Sequence, residues 1–485
     1  MFNKNQKNMK VLHIGWEFSP LRGGGLIEYT EELINIQCKN GYEVYYFCSG
    51  RQYPFFKKPK LIKWRRDKFT IYEIINSPIT HGGDKGSLKP DLDLNESLSE
   101  GFLLKILNEI QPDIIHIQEL GGLPSSLIEI IKEENIPVIM TLQDYFLLCP
   151  TLKLFDYTEN ICTIKNVGET CIKCCQTSPD RKDFVKQTII YELKKFHLYK
   201  ITKFLYSFIK KFKGKEKKDY LSKKNNIEKS NQKKLANDFQ KRRDINIERL
   251  NRIDLLIAQS YKVEEIYKKM LNRESGIITL HLTVDHINLI KPKFIENINF
   301  PINFAVLNGC ISVAKGSKLM LEAIKTLNKK GLNKFFKLHI FGGISEDIKD
   351  EILSFNNVLY HGLYDVSELD KILNKIDVGI IPSVWEEAYG YVGIEFLAKG
   401  IPVIGNNKGG IIDYVKDDLT GIVNKSSSAE ELASIMETII KNPNIIKNLN
   451  EKIIKNRNRI IKNMEEHFYE MDNIYKGLLK QYEKK

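Results

Sequence analysis

Ile381-Pro-Ser-Val-Trp-Glu-Glu-Ala-Tyr-Gly390-Tyr-Val-Gly-Ile-Glu-Phe-Leu-Ala-Lys-Gly400-Ile-Pro-Val-Ile404 reads as strand, loop, helix and strand in immediate succession. The apolar run ends at Pro382, Gly390 marks the loop, and a helical pattern runs from about Val392 to Lys399. Gly400 stops that helix, and Pro402-Val-Ile404 resumes a strand. Strand, helix, strand is the unit of a parallel, doubly wound sheet. Two carboxylates sit within it, Glu387 on the loop and Glu395 in the early turns of the helix. A loop carboxylate at the carboxyl end of a strand suits sugar hydroxyls, and a second one a helical step away suits the vicinal hydroxyls of a ribose. The helix N-terminus between them is a natural phosphate site. The plain alternative is a pair of solvated surface charges.

The same alternation extends in both directions. Downstream of Pro301, strand-like runs at 303–307, 337–341, 358–360, 378–381, 402–404 and 421–423 alternate with helical patterns at 318–328, 366–375, 393–399 and 429–441. Near the start, Lys10-Val-Leu-His-Ile-Gly-Trp16 is followed by Gly23-Gly24-Gly25, a helical pattern over 26–39, and a second strand over 43–48. Further strands are expected at 113–118, 137–142 and 254–258. Two successive α/β series predict two Rossmann-like doubly wound domains facing a central cleft, 9–292 and 293–460, with ligands at the carboxyl ends of the strands. A charged helix over 461–485 follows and is placed to cross back to the first domain.

These motifs together resemble the retaining glycosyltransferases of family four, which have the GT-B fold. The family pattern E-x-F-G-x-x-x-x-E, then A-x-G-x-P-V-I, stands here as Glu387-Ala-Tyr389-Gly390 through Glu395, then Ala398-Lys-Gly400-Ile-Pro402-Val-Ile404. Gly309-Cys310-Ile-Ser-Val-Ala-Lys315-Gly316 is similar to the family's G-x5-K-G turn, and Gly409 through Gly421 resembles its donor loop. The resemblance implies that Gly24, Gly25, Gly309, Lys315, Glu387, Tyr389, Gly390 and Glu395 hold a nucleotide-sugar donor, which is a co-substrate rather than a cofactor. It implies catalysis by positioning and charge, with Lys315 neutralising the departing diphosphate and no divalent metal required. Two positions depart from the pattern. Gln143, in Thr141-Leu-Gln-Asp144, stands where members commonly carry His; it can hydrogen-bond a sugar hydroxyl near the reacting centre but cannot titrate. Cys310 stands where many carry Arg.

An insertion of different character occupies about 149–250. Cys149, Cys162, Cys171 and Cys174 have a spacing able to place four thiolates around a structural zinc, or they are free thiols of a reducing compartment. From Arg181 to Leu250 there are 22 Lys and Arg against 8 Asp and Glu, which accounts for the net charge of +13. The excess is thus local, and without a readout module it does not indicate a nucleic-acid partner. Leu198, Ile201, Leu205, Phe208 and Phe212 form an apolar stripe flanked by lysines, the pattern of a helix on an anionic membrane surface or of one packed onto the first domain. The later basic run, 213–249, reads as a solvated helix or arm. No apolar signal core occurs over 1–9 and no window is long enough to cross a bilayer, so a cytoplasmic protein, peripheral on the membrane, is expected.

The expectation is a sugar transferase acting on a saccharide or lipid-linked acceptor in cell-surface polysaccharide or glycoconjugate synthesis. The alternative is a catalytically weak GT-B protein serving as a membrane-associated binding or assembly subunit, for which Gln143, Cys310 and the basic insertion speak.

Overall fold

The computed structural model describes residues 8–163, 167–196 and 229–484. Two sheets organise the chain. The first contains β1 (Lys10–Trp16), β2 (Glu43–Ser49), β3 (Lys60–Arg66), β4 (Phe69–Ile75), β5 (Ile114–Ile117), β6 (Val138–Leu142), β7 (Leu255–Ala258) and β8 (Ile277–Thr279), in the order β3-β4-β2-β1-β5-β6-β7-β8. The second contains β9 (Ile302–Leu307), β10 (Phe336–Phe341), β11 (Val358–Gly362), β12 (Val378–Ile381), β13 (Val403–Asn406) and β14 (Gly421–Asn424), in the order β11-β10-β9-β12-β13-β14.

Every pairing is parallel except β3 with β4. Parallel strands covered by helices on both faces are apolar throughout rather than alternating. Ile114-Ile-His-Ile117 and Val138-Ile-Met-Thr-Leu142 are accordingly buried at every residue. The edge hairpin β3–β4 and the three-residue β8 went unread in the sequence. In β3, Lys60-Leu-Ile-Lys-Trp-Arg-Arg66, no residue is fully buried, and its charges protect an exposed edge while obscuring the apolar signal.

Strand order reverses beside β1 in the first sheet and beside β9 in the second. The loops that follow β1, β9 and β12 hold Gly23–Gly25, Asn308–Gly316 and Pro382–Gly390. Both topological switch points therefore deliver their loops to the same cleft.

The last helix, Met464–Tyr482, begins with a capping box between Asn463 and Glu466 and lies against the first-domain helix Gly25–Lys39. The Tyr475 hydroxyl accepts from Gln37 Nε2 at 3.1 Å and is 2.6 Å from Nδ1 of His116. His467 pairs with the Tyr29 hydroxyl at 2.9 Å, and the Tyr482 hydroxyl donates to Asp254.

In the insertion, the apolar stripe from Leu198 to Phe212 lies outside the described residues. The end of the basic run is not a solvated arm. Helix Lys229–Arg252 buries Arg242, Arg243 and Arg249 against the first domain. Arg242 Nε pairs with Asp93 at 2.8 Å, Arg243 Nε donates to the Leu148 carbonyl at 2.9 Å, and Arg249 Nη1 donates to the Leu94 carbonyl at 2.7 Å. These guanidiniums supply donors that the loops at 93–95 and 146–148 would otherwise lack, so sequence charge here is an internal scaffold. Among the described residues no helix is long and apolar enough to cross a membrane.

Candidate functional site

A cleft of about 470 Å³ runs between the two sheets, a size suited to a small-molecule ligand. Its wall gathers residues far apart in the chain: Gly24, Gly25, Gln143, Gly309, Lys315, Glu387, Tyr389, Gly390 and Glu395. All the expected site residues except the cysteines thus share one lining.

Glu387 lies on the floor with both oxygens engaged. Ser383 Oγ donates to Oε2 at 2.7 Å, and the Lys315 ammonium pairs with Oε1. The same ammonium stands 5.7 Å from the centre of the Trp385 ring. Lys315 is brought there by Gly316, whose φ of 93° is in the left-handed region and whose missing side chain lets the turn approach the Pro382 carbonyl; a Cβ would lie 2.1 Å from that oxygen.

The helix Tyr391–Lys399 begins at Gly390 without a side-chain cap, so its first backbone N–H groups are open to an anion from the cleft. Glu395, one turn in, is buried, not solvated, and its Oε1 pairs with His286 Nε2 at 2.8 Å while Oε2 has no hydrogen-bond partner. The Tyr389 ring is stacked on His281 at 5.2 Å and meets Tyr414 edge-on, which fixes the loop rather than leaving the phenol free.

The first domain closes the site from above. Tyr391 donates from its hydroxyl to the Gly25 carbonyl at 3.0 Å, and a Cβ on Gly25 would meet the Tyr391 ring at 2.3 Å. Glycine at 25 is what permits this contact. Gln143, half-buried, donates to Gln118 Oε1 at 3.0 Å. Gln118 in turn touches His13, and His13 reaches Gln37 at 2.7 Å, so the amide is anchored to the buried network beneath the last helix.

Residues 293–464 match the profile of the family described as Glycosyl transferases group 1. The second domain is a group 1 glycosyltransferase domain. This bears out the family resemblance read from Glu387 through Ile404. The capsular polysaccharide biosynthesis glycosyltransferase CapM of Staphylococcus aureus is 28% identical over 207 residues, covering 41% of this chain and 52% of that protein. The chain spans a third to about half of the length of the first curated relatives it matches. Over 98% of this chain and 100% of the other, the fold is similar to sucrose-phosphate synthase from Thermosynechococcus elongatus, with a TM-score of 0.63 at 16% identity. The Anabaena protein HepE, solved in complex with UDP and glucose, covers 96% of this chain and is itself covered to 99%, with a TM-score of 0.55 at 12% identity. At these identities the likeness is one of fold, and that fold is GT-B.

Within the group 1 domain, Cys310 is fully buried in the core beside Phe304 and Met320, and burial pushes its thiol up to about 12. It is not among the residues that line the cleft. The four insertion cysteines gather in one region: burial, with Cys149 and Cys174 beside Cys171 and with Cys149 and Cys162 beside Cys174, pushes the Cys171 and Cys174 thiols up to about 12. The four are separate thiols, and among the described residues no three cysteine sulfurs lie within 4.8 Å of one another. Cys149 Sγ pairs with Thr151 Oγ1 at 3.3 Å, while Cys171 and Cys175 pack in an apolar cluster with Val167, Ile172 and Phe239. Sequence reasoning missed Ser383, Trp385, Glu28 and His286, all at the cleft. Ser383 and Trp385 lie inside the quoted loop and were within reach of it; for His286, on the linker between domains, no pattern announced a role.

Proposed function

We propose that the chain transfers a sugar with retention of configuration from a nucleotide sugar to a saccharide or lipid-linked acceptor in the synthesis of a cell-surface polysaccharide or glycoconjugate. One observation carries the reading: an ammonium, two carboxylates and an uncapped helix N-terminus converge at one interdomain cleft. The group 1 domain, the similarity to a capsular polysaccharide biosynthesis glycosyltransferase, and the fold shared with a UDP- and glucose-bound protein support it.

In this reading the diphosphate lies against Lys315 and the N-terminus of helix Tyr391–Lys399, Glu387 accepts from sugar hydroxyls, and Glu395 accepts from the ribose. As the glycosidic bond to phosphate breaks, charge builds on the leaving oxygen and Lys315 stabilises it. The departing phosphate takes the acceptor proton on the same face. Gln143 positions the sugar by hydrogen bonding and takes no part in proton transfer. Closure through Gly25 and Tyr391 limits water. The acceptor enters along the first domain, and the lysine-flanked apolar stripe from Leu198 to Phe212 of the basic insertion is the proposed contact with an anionic membrane surface.

The test is release of nucleoside diphosphate from a panel of nucleotide sugars with Glu387→Ala as control. Release by the wild type and not by the variant supports the transferase; release by neither favours the assembly-subunit alternative.

A further inference from the structure

His286 stands where the two domains meet, on the short turn Asp285–Leu289 that leads out of the first domain, and it is 9% exposed. Its Nε2 is 2.8 Å from Oε1 of Glu395 on the second-domain helix. Its Nδ1 is 3.4 Å from Oε1 of Glu28 on the first-domain helix Gly25–Lys39, an ion-pair contact and not a hydrogen bond. Glu32, one turn along that helix, accepts the backbone N–H of Asp285 at 2.7 Å and pins the turn to it.

A neutral imidazole has one N–H and one lone pair. With a carboxylate before each nitrogen, the neutral ring would aim its lone pair at one of them. Both carboxylates face an N–H only when both nitrogens carry hydrogen. Burial opposes that charge, but the carboxylates of Glu28 and Glu395 outweigh it and raise the imidazolium to about 10. The ring fully engages one oxygen of Glu395. The other, Oε2, is buried and bare, an unfavourable condition until a donor arrives.

We propose that His286 is a positioning residue for the donor: bridging Glu28 and Glu395, it fixes the ribose-binding carboxylate with Oε2 presented to the ligand and ties the first-domain helix to the second domain. The proposal rests on the donor reading above. It makes a carboxylate of the first domain, Glu28, a contributor to nucleotide affinity in the second. A divalent cation is the competing occupant, because Glu28, Glu32 and His286 place their ligand atoms within 4.8 Å of one another; it would take the place of the Nδ1 proton.

Calorimetric titration of UDP, GDP and ADP into the full chain separates these readings, using wild type, His286→Gln, Glu28→Gln, the double variant and Lys315→Ala, each with EDTA and with Mn²⁺. The expected result is binding by the wild type, weakened about tenfold in His286→Gln and less in Glu28→Gln, a coupling of ordinary size between linked sites. The double variant should match His286→Gln, EDTA should change nothing, and the variants should melt within a few degrees of the wild type. Wild-type affinity in His286→Gln, additive losses in the double variant, or Mn²⁺ tightening the wild type but not His286→Gln would overturn the proposal. If His286→Gln fails to fold, Glu28→Gln, whose side chain is 39% exposed, carries the test alone, and wild-type affinity there overturns it. Absence of binding by the wild type, or undiminished binding by Lys315→Ala, strikes instead at the donor reading itself.

Discussion

Lys315 and Glu387 are each other's counter-ion across the cleft floor, 72 residues apart in sequence and joined by a direct ammonium–carboxylate contact. Lys315 is 30% exposed at its side chain and Glu387 11%, so the pair is sheltered on the carboxylate side and open on the ammonium side. In the proposed reaction a diphosphate entering the cleft competes for the ammonium, while Ser383 retains its hold on Glu387. Without ligand the pair balances its own charge, and the proposed donor would break it.

Lys315→Ala removes the cation that faces the leaving group in the proposed reaction. Loss of one fixed donor to developing charge reduces kcat by about 100- to 1000-fold. Steady-state kinetics with a saturating donor check this, and an unchanged circular dichroism spectrum excludes unfolding. Glu387→Gln keeps the shape but removes the counter-ion, and is expected to raise the KM for the donor as well as lower kcat.

Gly25→Ala is expected to wedge the domains apart, because its Cβ would stand 2.3 Å from a carbon of the Tyr391 ring. Overpacking of this kind costs about 1–3 kcal/mol. Thermal denaturation and activity should both fall. Adding Tyr391→Ala should restore part of the loss, since residues in contact are not additive; strictly additive losses would refute the contact as the cause.

Arg242 and Asp93 are buried to 1% and 2% exposure and paired at 2.8 Å. Asp93→Ala leaves a guanidinium buried without its counter-ion, and breaking such a pair costs about 3–5 kcal/mol. Arg242→Met, which removes the charge with the pair, should be the milder substitution despite its loss of the bond to the Phe146 carbonyl. Urea denaturation of the two variants gives the order.

Acid should loosen the last helix first. Burial lowers His13 to about 4 and His467 to about 3, and drives His116 well below its usual range. All three are neutral in the folded protein, and the unfolded chain takes up their protons near pH 6.5. Their contribution is therefore complete above pH 6.5 and is lost as pH falls toward about 4. At pH 5 the penalty is about 2 kcal/mol each for His13 and His467. Hydrogen exchange along Met464–Tyr482 should accelerate between pH 7 and pH 5 more than exchange in β12 and β13, which hold no histidine, and His467→Gln should reduce the difference.

The architecture was legible because a doubly wound sheet writes each buried strand as an apolar run and each crossover as a helical period. Val378–Ile381 and Ala429–Lys441 fall where those periods place them. The edge hairpin was hidden by its own charges, Lys60, Lys63, Arg65 and Arg66, which protect it from pairing. Lys315, Glu387 and Glu395 were readable because fixed spacing sets them at the ends of β9 and β12 and on the helix that follows. Buried arginines were misread for the opposite reason: Arg242 and Arg249 look like surface charge until Asp93, Leu94 and Ser125 arrive from more than a hundred residues away. His286 is of the same kind, since its two carboxylates come from different domains.

The most direct test is a crystal structure of the chain with a nucleotide sugar bound. The account predicts the Lys315 ammonium on a phosphate oxygen, the sugar hydroxyls on Glu387, and a ribose hydroxyl donating to Oε2 of Glu395. A nucleotide bound elsewhere, with Lys315 still held by Glu387 and Oε2 of Glu395 still bare, would contradict it.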